Sequence, residues 1–108
     1  MTLADLFTIL NSITGFENKV AYRAFPVNDA PEMPYICIMA TQTDNFDADN
    51  QVYKVIQGVD IELYTENKDL TYEEAIETEL NNSRIPWDKF EEFIDDENCY
   101  KITYEISI

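Results

Sequence analysis

The residues of this chain best suited to chemistry are the oxygen-rich side chains between positions 44 and 50. Asp44, Asp47 and Asp49 lie close together, and Asn45 and Asn50 add carbonyl oxygens. Calcium prefers such oxygen ligands. An EF-hand frame started at Asp47 puts Asp49 and Gln51 at its third and fifth positions. Its sixth position then falls on Val52, where the loop needs glycine. Its twelfth falls on Gly58, where a bidentate glutamate is needed. The frame fails, which leaves either a solvated acidic loop or an adventitious divalent site. A pair such as Glu73 and Glu77 could in principle serve glycosidic acid–base chemistry. With 22 Asp and Glu in 108 residues, however, such pairs arise by chance, and a solvated helix face is the expected reading.

Other chemistries fall to composition. The chain has no histidine, which removes Ser-His-Asp triads, Cys-His dyads and His-ligated zinc. Its only glycines are Gly15 and Gly58, so the standard phosphate-cradling loops are missing. Cys37 and Cys99 are too few for a thiolate zinc site or a disulfide scaffold. Both sit in strand-like segments and are expected to be buried, reduced thiols. The chain is therefore expected to be no enzyme, with no catalytic residue, cofactor or resident metal.

The elements around these residues follow from periodicity. Leu3 to Ser12 predicts a helix, capped by Thr2 with Asp5 as capping-box partner. Leu3, Leu6, Phe7, Leu10 and Ile13 form its apolar stripe, and Ile9 falls off it. Gly15 stands where a left-handed residue is expected after the helix. Val20 to Phe25 reads as a short strand, and the proline-rich stretch from Pro26 to Pro34 as extended loop. Tyr35 to Gln42 is a strand apolar on both faces, and Thr43 to Asn50 a polar loop. Val52 to Thr65 alternates as one long strand, with a bend expected at Gly58. Thr71, with Glu74 as box partner, is expected to cap a second helix reaching Asn82. Its apolar stripe is Tyr72, Ala75, Ile76 and Leu80, and its glutamates are solvated. Asp88 to Ile94 and Cys99 to Ile108 are expected to form a hairpin around Asp95–Asn98, with a helical turn over Lys89–Ile94 as the alternative for the first arm. The fold class is α+β: one domain over residues 1–108, order α-β-β-β-α-β-β, with two helices on one face of a mostly antiparallel sheet.

Length and charge bound the partners. Apolar residues make up 45% of the chain, enough for a core. No apolar run approaches a membrane span, and the start of the chain lacks signal-peptide character, so cytoplasmic synthesis without a membrane partner is expected. The formal net charge is -15. Residues 1–54 hold seven acids and three bases, and residues 55–108 hold fifteen acids and four bases. Such an excess disfavours gripping nucleic-acid phosphates. Three readings compete for it: a solubilising surface, the lining of a passage that DNA traverses without sticking, or a mimic of the DNA backbone. Phe25-Pro26, Met33-Pro34-Tyr35 and Phe46 stand outside the core stripes, as either local packing beneath loops or interface.

Several short segments carry a family resemblance. They are Ala24-Phe25-Pro26; Pro31 with Pro34-Tyr35-Ile36; Thr43-Asp44-Asn45-Phe46-Asp47-Ala48-Asp49-Asn50; Val52-Tyr53; Ile61-Glu62-Leu63-Tyr64-Thr65; and Tyr104-Glu105-Ile106. Together they resemble the small head–tail joining, tail-completion and tail-terminator proteins of long-tailed, siphovirus-type bacteriophages and prophages of Gram-positive bacteria, over about residues 3–108. The resemblance implies an α+β subunit of a ring, commonly of six copies, at the head-proximal end of the tail tube. Its partners would be further copies, the major tail tube protein and head connector proteins, with no stable nucleic-acid binding. It would be made in the host cytoplasm and end in the virion. The stretch Asp44, Asn45, Phe46, Asp47, Asp49 and Asn50 matches the family pattern most closely and is the expected interaction segment. An acidic inhibitor of a host nuclease or restriction enzyme is the competing expectation.

Overall fold

The computed structural model describes residues 1–43, 46–48 and 51–108, with side chains described over 1–43 and 55–108. The elements run α1 (Leu3–Asn11), β1 (Val20–Tyr22), β2 (Tyr35–Thr43), β3 (Phe46–Ala48), β4 (Gln51–Lys54), β5 (Gln57–Thr65), α2 (Leu70–Asn82), β6 (Asp88–Ile94) and β7 (Cys99–Ser107). Five strands form one sheet in the order β1-β2-β5-β7-β6, and β3 and β4 pair separately. The β1–β2 pair is parallel and the other ladders antiparallel, so the fold is the expected α+β class with a mixed sheet.

Alternation along the strands decides which face is covered. Ile36, Ile38, Val59, Ile61, Leu63, Ile102, Tyr104 and Ile106 form one buried layer, and Leu6, Leu10, Ile76 and Leu80 of the helices pack into the same cluster. The other face carries Asp60, Glu62, Lys101 and Glu105; no helix covers it, and Cys37, Glu62 and Thr103 in its middle are nonetheless buried.

α1 starts as expected. Thr2 Oγ1 accepts from the Asp5 N–H at 3.1 Å, and the Asp5 carboxylate accepts from the Thr2 N–H at 3.0 Å. Its stripe is rotated from the expected one. Leu6, Leu10 and Ile13 are buried and Ile9 is half-buried, while Phe7 is exposed. One residue turns a helix by about 100°, so Phe7 cannot share a narrow stripe centred on Leu6. Gly15 has φ +100°, and a Cβ there would meet the Tyr72 ring at 3.3 Å. That close approach lets Phe16 and Tyr72 pack edge to face at 5.2 Å.

Four boundaries differ from the sequence-based expectation. β1 stops at Tyr22 rather than Phe25, because Arg23 takes φ +66° and leaves the strand. The expected loop 43–50 contains β3, which pairs with β4. The expected strand from Val52 to Thr65 is two strands broken after Lys54, and Gly58 lies inside β5 opposite Ser107 rather than at the bend. The β2–β5 ladder becomes irregular between Ala40 and Thr43, and a Cβ on Gly58 would stand 2.6 Å from Thr41 Oγ1 and 2.8 Å from the Gln42 carbonyl oxygen. Glycine thus serves a close backbone approach there. Finally, α2 is capped by Asp69, whose Oδ1 accepts from the N–H groups of Thr71 and Tyr72 at 3.0 and 3.4 Å. Thr71 sits one residue inside the helix.

Candidate interaction surface

Of the six residues expected to form an interaction segment, Asp44, Asn45, Asp49 and Asn50 lie outside the described residues. Phe46 and Asp47 belong to β3, in register with Lys54 and Val52 of β4. The aromatic residues near Pro26 and Pro34 pack locally. Phe25 meets Tyr35 edge to face at 5.3 Å, and Tyr35 stacks on Tyr64 at 5.0 Å.

One acidic surface lies on the face of the sheet away from the helices. Inward Val59 and Ile61 force Asp60 outward, and inward Tyr104 and Ile106 do the same to Glu105. Register sets Asp60 opposite Glu105, and Glu105 opposite Asp88, so three adjacent strands present a row of carboxylates. A groove of about 710 Å³ runs along it, lined by Thr41, Asp60, Trp87, Asp88, Glu105 and Ser107 among others. Burial pushes the Asp60 carboxyl above its ordinary value, Glu105 and Glu62 push it further, and Lys101 opposes them. Lys101 serves the neighbouring rows instead, with Nζ 3.5 Å from Glu62 and 3.3 Å from Glu92. The Asp60–Glu105–Asp88 row contains no cation. Among the described residues no group of three His, Cys, Asp or Glu is arranged to hold a metal ion. The row's property is therefore its field.

The face beneath the helices holds a second charged cluster that periodicity missed. Glu73 is only 1% exposed. Its Oε2 lies 2.7 Å from Lys68 Nζ, an ion pair without good hydrogen-bond geometry, and its Oε1 accepts from Lys89 at 3.1 Å. Burial raises the Glu73 carboxyl, but the two ammonium groups outweigh it and hold the group below its ordinary value. Glu77 Oε2 accepts from Lys89 and from the Tyr104 hydroxyl, each at 2.7 Å. The two carboxylates tested above as an acid–base pair are thus engaged with cations and a phenol and braced between α2 and the sheet. The bases on β6 and after β5 follow them in space but not in sequence.

Both cysteines are buried and free, as expected. Burial, then the nearby Glu62 charge, pushes the Cys37 thiol up to about 11, so it is protonated at neutral pH. No helix among the described residues is long and apolar enough to cross a membrane. No protein-family model and no curated protein matches this chain.

Proposed function

We propose that this chain is a structural protein of a phage head–tail junction, a tail terminator or tail-completion subunit, which assembles with further copies into a ring through which DNA passes. The observation that carries the reading is the row Asp60–Glu105–Asp88, none of which makes an ion pair with a described residue, on the face of the sheet away from the helices. A face of one sign repels a polyanion at short range, and so lets DNA move along it without adhering. The motif resemblance supplies the setting: the tail tube protein and the head connector as neighbours, synthesis in the host cytoplasm and residence in the virion. The role needs no catalytic residue and no cofactor.

The expected results are concentration-dependent self-association by size-exclusion chromatography with light scattering, and no retention of duplex DNA on filters even at low salt. A tight, salt-sensitive DNA complex would overturn the passage. A strict monomer that forms a stoichiometric complex with a basic nuclease would establish the DNA-mimic reading in its place.

A further inference from the structure

We propose that copies of this chain join edge to edge, the free edge of β6 in one copy pairing antiparallel with the free edge of β1 in the next. The inference rests on the ring reading above and adds the seam that closes it.

The first observation is exposure. β6 has a sheet neighbour on one side only, and six of its seven residues are exposed. Phe90 and Phe93 are 46% and 47% exposed. A long, flat, partly apolar edge is a template for a further strand. At the opposite edge β1 is also paired on one side only.

The second observation is charge. β6 carries Asp88, Glu91 and Glu92, of which Glu91 and Glu92 share Lys68 and Lys101 with the buried Glu73 and Glu62, and its one base, Lys89, is held by Glu73 and Glu77, so the edge keeps a net negative charge. β1 is flanked by Lys19 and Arg23, and residues 18–28 contain no acid. Neither Lys19 nor Arg23 makes an ion pair with a described residue, whereas Lys68, Lys89 and Lys101 each make two. Two bases without a described ion partner thus flank the short edge opposite the acidic one.

The third observation is direction. β1 runs with β2, β2 against β5, β5 against β7 and β7 against β6. β6 therefore runs against β1. Copies related by rotation about an axis along the strands place β6 of one beside β1 of the next, antiparallel, with the same face of every sheet turned inward. Such a head-to-tail contact closes into a ring.

One register satisfies both charge and face. Setting Lys19 opposite Glu92 places Ala21 opposite Phe90 and brings Arg23, just past the end of β1, towards Asp88 at the seam, which leaves Asp60 and Glu105 as the acids without a cation inside the face. Ala21 pairs with Cys37, and Phe90 and Glu92 pair with Thr103 and Lys101, which puts both lines on the uncovered face. Bases on either side of Ala21 then approach acids on either side of Phe90, and the small residue leaves room for an exposed ring.

Charge reversal tests the seam. Lys19→Glu with Arg23→Glu, and separately Asp88→Lys with Glu92→Lys, each set like charges against each other. Each variant is expected to weaken self-association at least about tenfold while keeping the circular dichroism of the native chain. Mixing the two variants is expected to restore assembly, because every seam of an alternating ring is then complementary. Variants Ala21→Cys and Phe90→Cys report weak contacts: oxidising their mixture is expected to give the mixed disulfide in excess of either homodimer. If the native chain assembles while the reversed variants assemble equally well, or the mixed disulfide fails to form, the seam is overturned and the ring reading stands. If the native chain neither associates nor cross-links at any concentration, both fall.

Discussion

Burying Glu73 takes a carboxylate out of water, and two ammonium groups offset that cost. They do so unequally. Lys89 touches Glu73 and Glu77 together, from a half-buried position, while Lys68 is 41% exposed. Lys89→Ala leaves Glu73 short of a cation in a place water reaches poorly and also strips Glu77, so a loss of about 3 kcal/mol is expected. Lys68→Ala removes a pair that solvent already screens and is expected to cost about 1 kcal/mol. Urea titrations of the two variants check the order; equal losses would mean that Glu73 is not held mainly from β6. The sequence shows why this cluster escaped notice. Glu73 falls beside Glu74, Glu77 and Glu79, a run whose solvent-facing reading is ordinary. Its partners lie five residues before it and sixteen after it, and only tertiary packing brings Lys89 over α2. The same holds for Asp60, Glu105 and Asp88. Alternation predicts their face, but their alignment into one row depends on strand register.

At the level of elements, the hairpin β6–β7 and helix α1 were legible because each is specified locally, by a two-residue period, by a turn, or by a capping box with both hydrogen bonds made. α2 was legible in extent but not in its start, since the Thr71–Glu74 spacing mimics a capping box while Asp69, two residues earlier, makes the cap. The structure assigns the cap to Asp69, so Asp69→Ala is expected to cost about 1 kcal/mol and Thr71→Ala markedly less, read from thermal unfolding. Equal effects would place the helix start at Thr71 after all. The break between β4 and β5 was not legible. Alternation continues through Val55 and Ile56, but β4 takes β3 as its partner whereas β5 takes β2 and β7. Periodicity gives a strand its faces and never its neighbours. Gly58 was read as a bend and instead serves a contact. Gly58→Ala drives a methyl against Thr41 Oγ1 and the Gln42 carbonyl oxygen, and is expected to cost about 2 kcal/mol. Adding Thr41→Ala is expected to recover only part of this, because the backbone carbonyl remains; full recovery would show that the side chain alone makes the contact.

For the whole molecule, the net charge of -15 makes stability depend on pH in a direction opposite to that of many proteins. Asp60 is raised in the folded state, so it binds its proton more readily there than in the unfolded chain, and stability falls as pH rises through that window. Lowering the pH from neutral towards the carboxylate range therefore relieves Asp60 ahead of the ordinary carboxylates and the general repulsion with it, and the urea midpoint is expected to rise first. Glu73 acts in the opposite sense. Its lowered value means that its contribution is present above the ordinary carboxylate range and is lost as pH falls through the folded value, so below about pH 4 the midpoint is expected to drop. Lys68 and Lys89 are raised, chiefly by the carboxylates of Glu73 and Glu77 respectively, so their contribution persists through neutral pH and disappears only in strong alkali. Salt separates the two effects. It screens the exposed carboxylate row but much less the buried Glu73 pairs, so about 0.5 M NaCl at neutral pH is expected to raise the midpoint. Asp60→Asn should flatten that initial rise without moving the acid drop. A midpoint that declines steadily from pH 7 downward, or falls on adding salt, would mean that the ion pairs and not the repulsion dominate this fold. The acidic face would then be too weakly charged at its surface to keep a polyanion away.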